Sequence, residues 1–274
     1  MNDHEQKYLE GLNIDEKIDF SKKIINDAIS RFGQEKIALA ITGGKDSTML
    51  LWLFKNVCSE LSIKIPKCMF IDEGDVFTEI LEFVETLKKQ WNLDIVIAKN
   101  TDVAGKVKKI GDIIKVKDLN ESNRQELRNL NFNEDEFTFE PESYIGNHLM
   151  KTVPMKTFIQ EYKIAALATA IRWDEQEARK NEEYFSPRTN PDHYRIHPIL
   201  HFKERDIWTA IHKYKIPYCI LYSQGYRSLG AKSTTYKNSD IPAWQQDLEH
   251  TTERSGRGQD KELVMEKLRD LGYM

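Results

Sequence analysis

The chain has 274 residues, of which 40% are hydrophobic and 31% charged, the balance of a soluble globular protein with a real core. A formal net charge of -4 speaks against non-specific nucleic-acid binding and leaves only a local basic patch open. The three cysteines, Cys58, Cys68 and Cys219, form no CxxC pair, so one chain cannot build a zinc site or a four-cysteine iron–sulfur cluster. The polar N-terminus has no signal-peptide core and no apolar run is long enough for a membrane span, so the expectation is a cytoplasmic protein with reduced thiols.

In chain order, residues 1–33 read as one helix, with Leu12, Ile14, Ile18, Ile24, Ile25, Ala28 and Ile29 at helical spacings and Gly33 as a stop. KIALAI (36–41) is a short apolar run between turn residues and reads as a buried strand. A packed helix follows at 47–61, then a strand at 67–71, a helix at 76–90 and a strand at 93–98. This alternation predicts a parallel sheet covered by helices on both faces. Residues 100–150 are polar and weakly periodic and read as an inserted loop or small helical excursion over the site. A helix near 152–162 and a strand at 165–171 resume the pattern. After a polar stretch at 174–194 come a strand at 195–200 and a helix at 204–215. The tail shows little pattern before a last helix near 259–271. The division is a nucleotide-binding α/β domain over 1–217 and a tail, 218–274, packing on or over the active site.

The chemistry concentrates in AITGGKDSTML, between the first strand and its helix. Two glycines let the backbone turn sharply and approach a ligand, and loop amides beside a helix N-terminus favour an anion. Thr42, Ser47 and Thr48 add hydroxyls, and Lys45 adds a positive charge. The segment is neither GxxxxGK[ST] nor GxGxxG. It matches the PP-loop pattern SGGxDS, with Thr42 in place of the first serine.

From this point the chain resembles the PAPS reductase family of adenine nucleotide α-hydrolase-like (HUP-type) folds, which includes sulfonucleotide reductases, the small subunit of bacterial ATP sulfurylase and a eukaryotic FAD synthase. Besides the PP-loop, the resemblance rests on Phe70-Ile71-Asp72-Glu73-Gly74, Ile171-Arg172-Trp173-Asp174-Glu175, and His197-Pro198-Ile199-Leu200 with Glu204-Arg205-Asp206-Ile207-Trp208. It also rests on the segment Tyr222–Gly230 and on Glu253-Arg254-Ser255-Gly256-Arg257. It implies nucleotide contacts from Ala40, Thr42, Gly43, Gly44, Lys45, Asp46, Ser47, Thr48, Phe70 and Asp72. It implies catalytic roles for Lys45, Asp46, Arg172, Arg227, Lys232, Arg254 and Arg257, with ATP, APS or PAPS as the nucleotide and Mg²⁺ as its ion.

The reductases carry a C-terminal cysteine that attacks sulfur, and the sequence after Arg257 has none. The remaining chemistry is attack at the α-phosphate with pyrophosphate leaving, as in the ATP sulfurylase subunit, with sulfate or another small acceptor. The alternatives are an APS or PAPS reductase that takes its thiol from a partner or from Cys219, and a non-catalytic nucleotide-binding subunit. A partner subunit or a homo-oligomer fits either.

Other residues have two readings each. Asp46 either holds metal or caps the helix. Asp72 either meets the nucleotide or its Mg²⁺, or caps a helix. Lys45 either stabilises charge on the leaving phosphates or is solvated. Each arginine either grips phosphate or sulfate, or makes a surface salt bridge. Arg254 and Arg257 suggest a flap that closes over the nucleotide. His197 and His201 read as structural residues sharing one strand face, Trp173 as core or a border of the adenine site, and Arg179–Arg188 as a solvated loop.

Overall fold

The computed structural model describes residues 3–237 and 239–256. The N-terminal periodicity resolves into two helices, α1 (Asp3–Glu10) and α2 (Ile14–Phe32), where the sequence suggests one. Asn13 breaks it. Its side chain accepts from the amides of Asp15 and Glu16 at 3.0 and 3.1 Å, and Glu16 accepts from the Asn13 amide at 2.9 Å. This capping box satisfies amides that a continuous helix would have spent on the preceding turn.

Next come β1 (Ile37–Ile41), α3 (Lys45–Glu60), β2 (Lys67–Ile71), α4 (Thr78–Trp91) and β3 (Ile95–Ala98), close to the expected bounds. The insertion holds α5 (Thr101–Ala104), β4 (Ile113–Lys115), α6 (Glu121–Asn129), β5 (Glu136–Thr138) and α7 (Tyr144–Asn147). A turn of π-helix, His148–Thr152, leads into α8 (Val153–Glu161). The chain then forms β6 (Ala166–Ala168), β7 (Phe185–Arg188), β8 (His193–Ile196) and α9 (Glu204–Lys213).

The sheet order is β3-β2-β1-β6-β8-β7, parallel except for the β7–β8 pair. The antiparallel β7 lies inside the stretch read as polar, and its Pro187 suits an edge position. The strands expected at 165–171 and 195–200 are both displaced or shortened. The first ends at Ala168 and the second runs over 193–196, so His197 follows its strand and shares no strand face with His201.

Helices cover both faces. One core joins α2, α3, α4 and α9 to the sheet through Ile25, Leu39, Phe54, Val84 and Trp208. The opposite face packs Ala38, Met69 and Leu167 against Met155, Phe158 and Ile159 of α8. The insertion is more than a loop. The antiparallel pair β4–β5 and the helix α6 that connects them enclose a core of their own, including Ile114, Leu127, Phe137 and Leu149.

The chain runs outward from β1 to β3 and then returns to β6 on the other side of β1. The direction of winding therefore reverses between β1 and β6, and a ligand crevice opens there, beyond the carboxyl ends of the strands.

Candidate active site

A cavity of about 290 Å³ sits at that reversal. Ala40 of β1, Met69 and Ile71 of β2, and Thr169, Ala170 and Ile171 after β6 form its apolar wall. Thr42, Gly44, Lys45, Asp46 and Ser47 form its polar end.

The loop geometry follows from its residues. Gly43 has φ +73°, a conformation that side chains resist, and Ile80 leaves no room for a Cβ there. Gly44 occupies the N-cap of α3 without a side-chain cap, which leaves the Asp46 and Ser47 amides of the first turn for a ligand. Ser47 Oγ donates to the Gly44 carbonyl at 2.9 Å and accepts from the Thr42 amide at 3.2 Å, holding the loop closed. Thr48 is buried, donates to the same carbonyl at 3.0 Å, and does not line the cavity. The Lys45 amide donates to the Tyr222 hydroxyl at 2.9 Å, which ties the segment after α9 to the loop.

Two cations meet there, Lys45 in the cavity wall and Arg172 outside the lining, held against the wall residues Asp46 and Glu253. Lys45 is 1% exposed and Arg172 is 0% exposed. The Lys45 ammonium pairs with Asp46 at 3.1 Å and with Glu253. Arg172 pairs with Asp174 through Nε at 2.8 Å, and with Asp46 and Glu253 through its two terminal nitrogens. Burial alone would lower the pKa of both cations, but Asp46 and Glu253 outweigh it and raise both. Both stay charged, and Glu253 is held ionised between them, its pKa depressed by Arg172 and Lys45 against the opposing effect of burial.

Asp46 therefore does not cap α3. Asp72 is not a cap either, because Phe77 occupies the N-cap of α4. Asp72 accepts from Lys99 at 2.7 Å and from the Gly74 amide at 2.9 Å, outside the cavity wall. Phe70 lines a second cavity of about 260 Å³ that shares Ala40, Thr42, Met69, Ile71, Arg179 and Leu229 with the first and reaches Glu142, Asn147 and Lys151 of the insertion side.

The remaining predicted cations separate. Arg254 lines the second cavity and pairs with Glu175 at 3.3 Å. Arg227 is turned away from both cavities. It pairs with buried Glu204 at 2.8 Å and donates to the carbonyls of Asp247 and Thr251. Lys232 is exposed and lies outside both cavities, and its amide donates to the Asp75 carbonyl at 2.8 Å. Arg257 and the helix expected near 259–271 lie outside the described residues.

Arg179, read as part of a solvated loop, instead lines both cavities and pairs with Glu175. Trp173 lines neither cavity. Its indole donates to the Glu182 carbonyl at 3.0 Å and packs with Leu9 and Leu200. His197 lines the first cavity as a neutral ring, its pKa pushed down by burial and by Arg195, with Nδ1 against Thr169 Oγ1 at 2.8 Å. His201 is buried between the Tyr184 hydroxyl and the Lys17 carbonyl, each at 3.1 Å.

Sequence reading missed Glu253, Tyr222, Glu175 and Arg179 as site residues. The first three lay inside segments that carry the family resemblance, but nothing local shows that Glu253 reaches Lys45, more than 200 positions away.

No cysteine lines either cavity, and all three are buried. Burial pushes the thiols of Cys58 and Cys68 up to about 11 and about 12, and raises that of Cys219. Such thiols are poor nucleophiles. Among the described residues no helix is long and apolar enough to cross a membrane.

Comparison with known proteins bears on the family and the fold. The phosphoadenosine phosphosulfate reductase domain matches residues 36–237. A probable FAD synthase of Caenorhabditis briggsae is 24% identical over 85% of this chain, which spans only 36% of that protein's length. An adenosine 5'-phosphosulfate reductase of Geobacillus sp. is 23% identical over 74% of each chain. The crystal structure of Candida glabrata FMN adenylyltransferase with FMN and an ATP analogue superposes with a TM-score of 0.61 at 19% identity, covering 98% of this chain and 92% of that one. The phosphoadenylyl-sulfate reductase of Candida auris gives 0.57 at 17% identity, covering 85% and 95%. The fold is thus the mostly parallel, adenine nucleotide α-hydrolase-like one, and with its match extending from the residue before β1 to the segment beyond Tyr222, the chain belongs to the phosphoadenosine phosphosulfate reductase domain family.

Proposed function

We propose that the protein is a nucleotidyltransferase that binds ATP in the first cavity, cleaves between the α- and β-phosphates and passes AMP to an oxyanion acceptor. The observation that carries this reading is buried Lys45 in the cavity wall at the PP-loop, with buried Arg172 beside it on the same two carboxylates, Asp46 and Glu253. Cations held in a low-dielectric site stabilise the charge that develops on departing pyrophosphate once the polyphosphate is bound against them. The apolar wall from Ala40, Met69 and Ile71 suits an adenine ring.

Mg²⁺ is normally carried on phosphate oxygens with one or two protein carboxylates. Asp46 is the loop carboxylate that faces the cavity and would share it, and the ion would supply further charge neutralisation at the leaving group. Arg179 and Arg254, both on Glu175, border the second cavity and would meet the acceptor's oxyanion. Arg227 acts as a positioning residue for the tail, and Lys232 has no part in this assignment.

The acceptor reading moves away from sulfate. The second cavity shares six lining residues with the first and offers far more room than a tetrahedral oxyanion fills, which favours an organic phosphate monoester such as FMN. A reductase reading finds no support in the cavity walls, which hold no thiol.

Pyrophosphate release from ATP and Mg²⁺ tests the proposal, with FMN, with sulfate and with neither. FMN-dependent release is the expected result, and it falls roughly 10²- to 10³-fold in Lys45→Ala. Sulfate-dependent release would return the acceptor to sulfate. ATP binding without release under either acceptor would overturn the transferase reading.

A further inference from the structure

Lys45 and Arg172 are not waiting unpaired for a phosphate. Three carboxylates occupy them, and these differ in origin. Asp46 follows Lys45 directly and Asp174 lies two residues after Arg172, so both belong to the loops that carry the cations. Glu253 comes from the C-terminal segment, lies against the cavity, and is the carboxylate that bridges the two cations from outside those loops. Three carboxylates on two cations leave neither cation free for an incoming anion. A polyphosphate entering on top of this cluster would meet like charge in a buried site, where repulsion is poorly screened. Withdrawal of Glu253 without a replacement anion would strand two buried cations, which is strongly unfavourable. An exchange of one anion for another satisfies both constraints.

The segment is built to allow a local exchange. Arg227 holds it upstream through the carbonyls of Asp247 and Thr251, at 3.0 and 3.1 Å. The Tyr236 amide holds it downstream through the carbonyl of Gly256 at 2.8 Å. Between these anchors, a single turn over Glu253–Gly256 carries the carboxylate, with the Ser255 amide on the Thr252 carbonyl at 3.2 Å. Glu253 can leave while both ends stay tied.

We propose that Glu253 is an internal competitor of the substrate polyphosphate: it fills the anion position between Lys45 and Arg172, is expelled when the nucleotide binds, and returns when pyrophosphate departs. The inference deepens the transferase reading and rests on it for the identity of the anion. Its consequence is symmetric: the carboxylate opposes binding of ATP and rebinding of pyrophosphate alike.

The test uses inorganic tripolyphosphate and the full chain. In the unaltered protein, hydrogen exchange at the Ser255 amide and its neighbours speeds up when tripolyphosphate is added. By calorimetry, Glu253→Gln binds tripolyphosphate and MgATP at least tenfold more tightly, and pyrophosphate inhibits this variant at correspondingly lower concentration. Exchange that is unchanged or slower in the unaltered protein overturns the proposal, whether or not the variant folds, and so does equal or weaker binding by a folded variant. The two readings separate cleanly. Tripolyphosphate that releases the segment, with no turnover of ATP under any acceptor, keeps the competitor and removes the transferase. Turnover with the segment unmoved does the reverse.

Discussion

Gly43 shows how much one residue of the PP-loop decides. Its φ of +73° lies where a side chain is strained, and a Cβ there would stand 2.7 Å from Ile80 Cγ2 on α4. The close approach lets the loop turn over α4 and point its amides at the cavity. Gly43→Ala should therefore cost about 1–3 kcal/mol from backbone strain plus repacking of Ile80, read as a shift of the urea midpoint at unchanged slope. ATP affinity should fall with it, because the amides move. An unaltered midpoint would mean that the loop accommodates a side chain and that the clash is relieved at no cost. At this scale the sequence was informative. Two glycines between a buried strand and a helix speak for themselves, because the sterics of a missing Cβ are local.

The element that matters next is α9, because its first residue, Glu204, is the buried partner of Arg227. That guanidinium also gathers the carbonyls of Asp247 and Thr251, so one arginine joins the start of α9 to the segment that bears Glu253. Breaking a buried pair from one side leaves an uncompensated charge and typically costs about 3–5 kcal/mol. Arg227→Met should show a loss of that order in urea unfolding, whereas the double replacement Arg227→Met with Glu204→Leu should lose clearly less. Equal losses would show that the hydrogen bonds to the tail carbonyls, and not the stranded carboxylate, carry the energy. The role of Arg227 as a tie was not legible beforehand. An arginine in a segment that resembles a nucleotide-binding family reads the same whether it faces ligand or protein, and only the packing of α9 decides between them. The same limit explains the N-terminal helices. The 3.6-residue periodicity continues through both, and only the side-chain chemistry of Asn13 and Glu16 marks the break.

Over the whole molecule, several buried titratable groups are held neutral, and this sets an acid limit. Burial depresses His201 from 6.5 to about 4 and, with Arg195, depresses His193 to about 4. The unfolded chain takes up these protons below about pH 6.5 while the folded chain refuses them until about pH 4. Stability is therefore full above pH 6.5 and is lost as pH falls towards 4. For one fully buried histidine the loss is on the order of 3 kcal/mol. Thermal melts from pH 7.5 to 4 should show this decline, and His201→Gln should flatten it. An acid limb of the same slope in that variant would assign the proton uptake elsewhere.

The sequence by itself determined β1, β2 and β3, the helices between them and the PP-loop, because burial periodicity and loop sterics act over a few residues. Tertiary structure decided the rest. It folded the weakly periodic insertion around Ile114, Leu127, Phe137 and Leu149, set β7 antiparallel at the edge, turned Arg179 into the cavity and Trp173 out of it, and brought Glu253 onto Lys45 and Arg172. The physical reason is range. A buried cation takes whichever carboxylate the fold delivers, and the partner's distance along the chain leaves no mark on the residues between them.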